Sequence, residues 1–197
     1  MNYKKYIKAR NASWQILIDC DVRDLPVDVF DICKKLQIRV ASYDSFAGKK
    51  IIKLLHLEQL IMTTDGLCIT AVPHKPIILY DSTASEQRQR FTIAHEIGHL
   101  VLQHTSESFR YISSRNCEPD DDAQNSREAE ANVFASRLLC PACVLWKRNI
   151  RTAEEIAEQC NVSLQAAGYR MKRMQLLYAR NKFLTHPLER ELAERFI

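Results

Sequence analysis

The chain of 197 residues predicts a helix-rich α+β fold: a small β-sheet, helices around it, and a basic helical extension at the C-terminal end. Three observations carry this. Only 4 residues are glycine while 46% are apolar, a balance that allows a sizeable core and favours helices over a strand-and-turn architecture. Short β-prone runs at 38–43, 67–72 and 77–80 supply a sheet. Apolar side chains recur at helical spacing from residue 83 to 101, over 127–139 and again over 152–174.

In chain order, residues 26–38 read as a helix, because Pro26 suits a first turn and Val29, Phe30, Cys33 and Leu36 recur at helical spacing. The strand 38–43 follows. Ile51, Leu54, Leu55 and Leu57 predict one short helix over 50–61. The runs 67–72 and 77–80, with Pro73-His74-Lys75-Pro76 between them, predict a hairpin at a sheet edge. Thr83-Ala84-Ser85-Glu86 has the form of a capping box and opens a long helix with the stripe Phe91, Ala94, Gly98 and Val101. Residues 105–125 are polar, contain Glu118-Pro119-Asp120-Asp121-Asp122, and read as a surface loop. Ser126 suits the cap of a second helix, 127–139, which Pro141 ends. The division expected from this reading is a main domain over 1–150 and a basic helical extension over 151–197.

The net charge of +4 is too small to argue for nucleic acid or a membrane surface, although residues 147–182 hold most of the basic excess. No apolar run approaches the roughly 20 residues that span a bilayer. The basic start is followed only by the short apolar stretch Trp14 to Ile18, too brief for a signal core. Seven cysteines, an odd number, read as free thiols in a reducing compartment, so a cytoplasmic protein is expected.

The chemistry is concentrated in His95-Glu96-Ile97-Gly98-His99-Leu100. On a helix, His95 and His99 stand one turn apart on one face. Their rings can reach one metal ion while Glu96 stands beside it, the H-E-x-x-H pattern of two ligands and a general base. Catalytic zinc takes three protein ligands and keeps one position open, so a third is owed. Glu128 is the first candidate, since it shares a helix face with Ala131, Ala135 and Leu138. Glu130, on the face of Phe134 and Arg137, is its main rival. His104 and the acidic cluster 118–122 follow. Asn132, one turn after Glu128, is placed to accept a hydrogen bond from a ligand histidine. Cys140-Pro141-Ala142-Cys143 has no second such pair and reads as a buried helix end rather than a metal or redox site. His56, His74 and His186 read as surface or local hydrogen-bonding residues.

Residues 90–100 (Arg90-Phe91-Thr92-Ile93-Ala94-His95-Glu96-Ile97-Gly98-His99-Leu100), then Glu128-Ala129-Glu130-Ala131-Asn132-Val133-Phe134-Ala135 and Leu138-Leu139-Cys140-Pro141, resemble the ImmA/IrrE metallopeptidases. The resemblance covers roughly 26–175. It implies a zincin-like fold, a cytoplasmic zinc protein of the kind often encoded by mobile elements, His95, His99 and Glu128 as Zn2+ ligands, Glu96 as catalytic base, and a supporting role for Asn132. The family usually has Met where this chain has Cys140, a difference that bears on packing. The implied substrate is a helix-turn-helix repressor whose removal derepresses stress or mobile-element genes. His104, Tyr80 and Arg127 are the candidates for stabilising the oxyanion.

Residues 152–174 resemble a helix-turn-helix, with helices at 153–160 and 164–174 and Asn161-Val162-Ser163 as the turn. Arg170, Lys172 and Arg173 lie late in the second helix, whereas a DNA reader contacts bases mainly from its start. A helical hairpin packed on its neighbours is therefore preferred to a DNA module. The competing functional classes are a partner-binding regulator with an idle metal site and a DNA-binding protein acting through 152–174.

Overall fold

The structure is a computed structural model that describes residues 6–71, 74–104, 110–113 and 122–196. It groups into two compact units, one of residues 29–132 and one joining 1–28 to 133–197. The expected division at residue 150 does not coincide with this grouping, because residues 133–150 belong with the C-terminal helices.

The unit 29–132 is built on a four-stranded sheet ordered β1-β3-β2-β4, comprising β1 (Arg39–Ser42), β2 (Gly66–Ala71), β3 (His74–Tyr80) and β4 (Arg110–Ser113). β1 runs parallel to β3 with Val40 opposite Ile78, and β2 runs antiparallel to both β3 and β4. The hairpin is therefore central rather than at an edge. β4, which lies in the stretch read as loop, covers the outer side of β2. Leu67, Ile69 and Leu79 turn to one face, where Ile52 and Leu57 bury them. Cys68 and Ile78 alternate to the other face and are equally buried. Burial on both faces explains why these strands read as continuous apolar runs rather than alternating ones.

Helices flank the sheet. The helix expected over 26–38 is shorter, with α1 (Ile7–Asp19) preceding it in the chain and α2 spanning Val29–Lys35; Val27 is fully buried ahead of it, and Gln37 ends the turn with φ 59°. The single helix expected at 50–61 is two, α3 (Phe46–Leu55) and α4 (Glu58–Ile61). His56 separates them in the left-handed region, φ 53°, and lets Leu57 drop into the core. The long helix is α5 (Glu86–Val101). Its cap is Ser85, which accepts from the Arg88 backbone N–H at 3.3 Å, while Thr83 is taken by Asp81. α6 (Asp122–Leu139) starts earlier than Ser126, which lies inside it.

The second unit holds α1 (Ile7–Asp19), which the sequence reading missed, the end of α6, and α7 (Ala142–Lys147), α8 (Ala153–Cys160), α9 (Leu164–Ala179) and α10 (Pro187–Arg195). α8 opens on a full capping box between Thr152 and Glu155, Asn161 turns the chain at φ 48°, and Ser163 caps α9. Lys147 donates to the carbonyls of Ala193 and Phe196 at 2.8 and 2.9 Å, pinning α7 to the end of α10. Arg170 is buried and donates to the Cys140 carbonyl at 2.7 Å. It is thus a packing residue, not the surface cation that a DNA contact requires. Among the described residues no helix is long and apolar enough to cross a membrane.

Candidate metal centre

α5 carries His95, Glu96 and His99 on buried turns. Residues 86–101 contain no proline, and their one glycine is Gly98, so the i, i+4 spacing is kept and the rings meet edge to face with centroids 4.7 Å apart. The Nε2 atoms of His95 and His99 lie 2.9 Å apart. The Glu128 carboxylate, on α6, closes the triangle with Oε2 at 3.2 Å from His95 Nε2 and Oε1 at 3.3 Å from His99 Nε2. Glu130 does not join them; its Oε2 lies 3.3 Å from His104 Nε2. Burial does not distinguish the two glutamates, whose side chains are equally exposed at 21%. Ala131 and Phe134 are both fully buried, so the two faces weighed in the sequence are both interior. The partner, not the face, separates Glu128 from Glu130.

Asn132 Oδ1 is 3.0 Å from His95 Nδ1. That oxygen can only accept, so the ring proton sits on Nδ1 and Nε2 keeps its lone pair. A bare imidazole nitrogen, a second one beside it and a carboxylate facing both form a convergence of acceptors that suits a cation. The three ligand atoms lie within 4.8 Å of one another, close enough for one ion at about 2.0–2.2 Å from each. The donor set of two imidazoles and one carboxylate fits zinc.

In the metal-free chain the groups of the cluster set one another's charge. Burial works to raise the Glu128 carboxyl, but the adjoining His95 and His99 rings hold it down to about 2. Burial also works against charging His95, yet the carboxylates of Glu128 and Glu96 lift it above the usual imidazole range. His99, more governed by burial and by the neighbouring positive charge of His95 and Arg127, falls below it. Glu96 differs from all of these. It is fully buried, and among the described residues neither carboxylate oxygen has a hydrogen-bond partner. Burial and the charge of Glu128 push it up to about 8, only partly countered by the charge of His95. A raised carboxyl beside a set of metal-type ligands has the proton affinity of a general base working near neutrality.

Residues 47–172 match the family model described as the IrrE N-terminal-like domain. The chain belongs to this family. It is also 31% identical over 103 residues, 49% of its length, to the radiation response metalloprotease IrrE of Deinococcus radiodurans, and those residues span 31% of that protein. The family placement covers the sheet from α3 onward, both motif helices and α9 up to residue 172.

The remaining sequence candidates in this member of the IrrE N-terminal-like family are placed as follows. His104 lies behind His99, its Nδ1 at 3.2 Å from His99 Nδ1, rather than on the side where the ligand atoms converge. Tyr80 ends β3 with its ring edge-on to Phe30 at 6.1 Å. Arg127 sits on α6 one residue before Glu128, and its charge is felt at His99. Residues 118–121 of the acidic cluster lie outside the described residues. Tyr43 was missed. Its hydroxyl meets Thr64 at 3.2 Å, and burial, with the charge of Glu96 contributing, pushes its phenol up to about 12. Nothing in its local sequence distinguishes it, because the sheet and not the motif brings it near Glu96. Cys140 and Cys143 are buried, and burial pushes the Cys143 thiol up to about 12.

Proposed function

We propose that this chain is a zinc-dependent endopeptidase acting on a protein, with a helix-turn-helix repressor as the substrate class. The observation that carries the reading is the convergence of His95 Nε2, His99 Nε2 and the Glu128 carboxylate next to a buried carboxylate, Glu96, that no described residue satisfies. His95, His99 and Glu128 would hold the ion. When bound, it supplies Lewis acidity for the water and the scissile carbonyl. Glu96 accepts the proton of the attacking water and passes it to the departing amine. Asn132 keeps the His95 proton on Nδ1, away from the ion. Similarity to the radiation response metalloprotease IrrE supports proteolysis in a regulatory setting, and the substrate class comes from the family resemblance.

The test compares wild type with Glu96→Gln, each loaded with zinc, on a repressor of this class encoded beside the chain. Cleavage products are read by mass spectrometry and release of the repressed gene by a reporter. Loss of a positioned acid–base group predicts cleavage slower by roughly 10²–10⁴-fold. A Glu96→Gln variant that derepresses as wild type does without cleaving would replace hydrolysis with a binding role, and one that cleaves as wild type does would remove Glu96 as the base.

A further inference from the structure

We propose that His104 and Glu130 are positioning residues: together they fix the proton of His99 on Nδ1 and so keep its Nε2 available as a ligand. The proposal rests on the metal-site reading above.

The geometry begins with the backbone. Leu102 caps α5 after Val101, and Gln103 takes φ 57°, which turns the chain back on itself. The His104 N–H then donates to the His99 carbonyl at 3.0 Å. This reversal sets the two rings 5.2 Å apart and nearly edge-to-face, at 73°. Without it, residue 104 would point elsewhere on the helix, since a separation of five does not stack on an α-helical face.

Hydrogen-bond chemistry then orders the protons from one end to the other. Glu130 Oε2, 3.3 Å from His104 Nε2, belongs to a carboxylate that can only accept, so His104 carries its proton on Nε2. The Nδ1 of a neutral His104 is then an acceptor. It faces His99 Nδ1 at 3.2 Å on the side away from the converging ligand atoms, where no ion would bridge the pair and one of the two must donate, so the proton belongs to His99 Nδ1. The lone pair of His99 is left on Nε2, which is the atom beside His95 and Glu128. The opposite order would put a proton on His99 Nε2, aimed at the ligand atoms, and would oppose an ion there.

The two imidazole ligands are thus oriented by different devices. His95 has a neutral amide, Asn132, in a single step. His99 has a carboxylate acting through a second imidazole. His104 is 8% exposed, so solvent is a poor substitute for it. An anionic acceptor behind an imidazole raises the ligand's basicity as well as fixing its ring, and loss of such a partner usually costs 10–100-fold in metal affinity.

The experiment uses the full-length chain. Long-range ¹H–¹⁵N spectra of the zinc-loaded and metal-free protein report which nitrogen of each imidazole is protonated, and chelator competition gives the zinc affinity of three variants. The expected pattern is a proton on His99 Nδ1 and on His104 Nε2. His104→Leu weakens zinc by 10–100-fold. His104→Gln, whose amide can accept from His99 and donate to Glu130, stays within a few-fold of wild type. Glu130→Gln falls between. Metal-free melting temperatures accompany the series, so that loss of folding is not mistaken for loss of orientation. A proton on His99 Nε2, wild-type zinc affinity in His104→Leu, or equal losses in the Leu and Gln variants overturns the proposal. Failure of the peptidase reading is read elsewhere, in a Glu96→Gln variant that binds zinc normally and still acts on its substrate.

Discussion

Gly66 opens β2 directly beneath α5, and its missing side chain is a testable requirement of the fold. A Cβ built there would lie 2.2 Å from Thr92 Cγ2 and 3.2 Å from the Leu79 carbonyl oxygen, with Glu96 Cγ next at 3.8 Å. Its φ is not positive, so the cost of Gly66→Ala is spatial rather than conformational. The methyl contact is more than 1 Å inside ordinary van der Waals separation, and Thr92 is buried on a helix that cannot simply rotate away. Overpacking of this kind costs about 1–3 kcal/mol. Thr92→Ser removes the offending methyl and by itself should cost about 0.5–1.5 kcal/mol, the usual range for one buried methyl group. In the double variant most of the clash is gone, leaving only the 3.2 Å contact with the carbonyl oxygen. Urea unfolding of the four proteins closes a double-mutant cycle, with an expected coupling of about 1–2 kcal/mol in favour of the double variant. Additive costs, with the double variant the least stable of the four, would show that β2 and α5 are not packed as described.

Further outcomes follow from the same coordinates. In the metal-free protein, Glu96 is pushed up to about 8, so the unfolded chain releases its proton first as pH rises from about 4.5. The folded state therefore loses stability between about pH 4.5 and 8, by a few kcal/mol at about 1.4 kcal/mol per unit, and Glu96→Gln should flatten that slope in thermal melts taken across the range. Asn132→Ala should weaken zinc by roughly 10–100-fold in a chelator competition, while Asn132→Asp, which keeps an acceptor at His95 Nδ1, should lose less. Arg170→Ala removes a charged donor from the Cys140 carbonyl and should destabilise the chain by at least about 1.5–3 kcal/mol. The same variant, compared with the more exposed Lys172→Ala, separates packing from any surface role of α9, since only the former should lower the melting temperature.

The part of the site that lies on one helix was legible because helical spacing is local information. His95, Glu96 and His99 need only an uninterrupted α5 to share a neighbourhood. Glu128 was harder. Its inward face was argued from Ala131, Ala135 and Leu138, yet Phe134 on the neighbouring face is just as buried, so α6 has no single interior stripe in this stretch. The contrast between Glu128 and Glu130 comes from which imidazole each meets, and that is tertiary information. His104 was legible as a titratable residue near the motif but not as a neighbour of His99, because the reversal at Gln103 puts a glutamine in a conformation that favours glycine. The same blindness split one expected helix at His56. β4 was hidden for another reason: its strand partner is more than forty residues away, and its polar flanks read as loop.

α5 must serve two faces at once. His95 and His99 turn toward α6, where Glu128 and Asn132 receive them. Glu96, about 100° around the helix from its neighbour, turns instead toward the start of β2, where Gly66 leaves it room. The candidate ligands have polar partners, whereas the candidate base is closely packed with no hydrogen-bond partner among the described residues. This division of labour is what the chemistry asks for, because a base that was already hydrogen-bonded would be stabilised as a carboxylate and lose proton affinity. It also ties two residues with no chemistry of their own to the base: Gly66 and Thr92 set how close β2 comes to α5. A larger side chain at 66 should therefore shift the Glu96 carboxyl before it disturbs the ligand set, and zinc affinity should outlast proton-transfer competence in that variant.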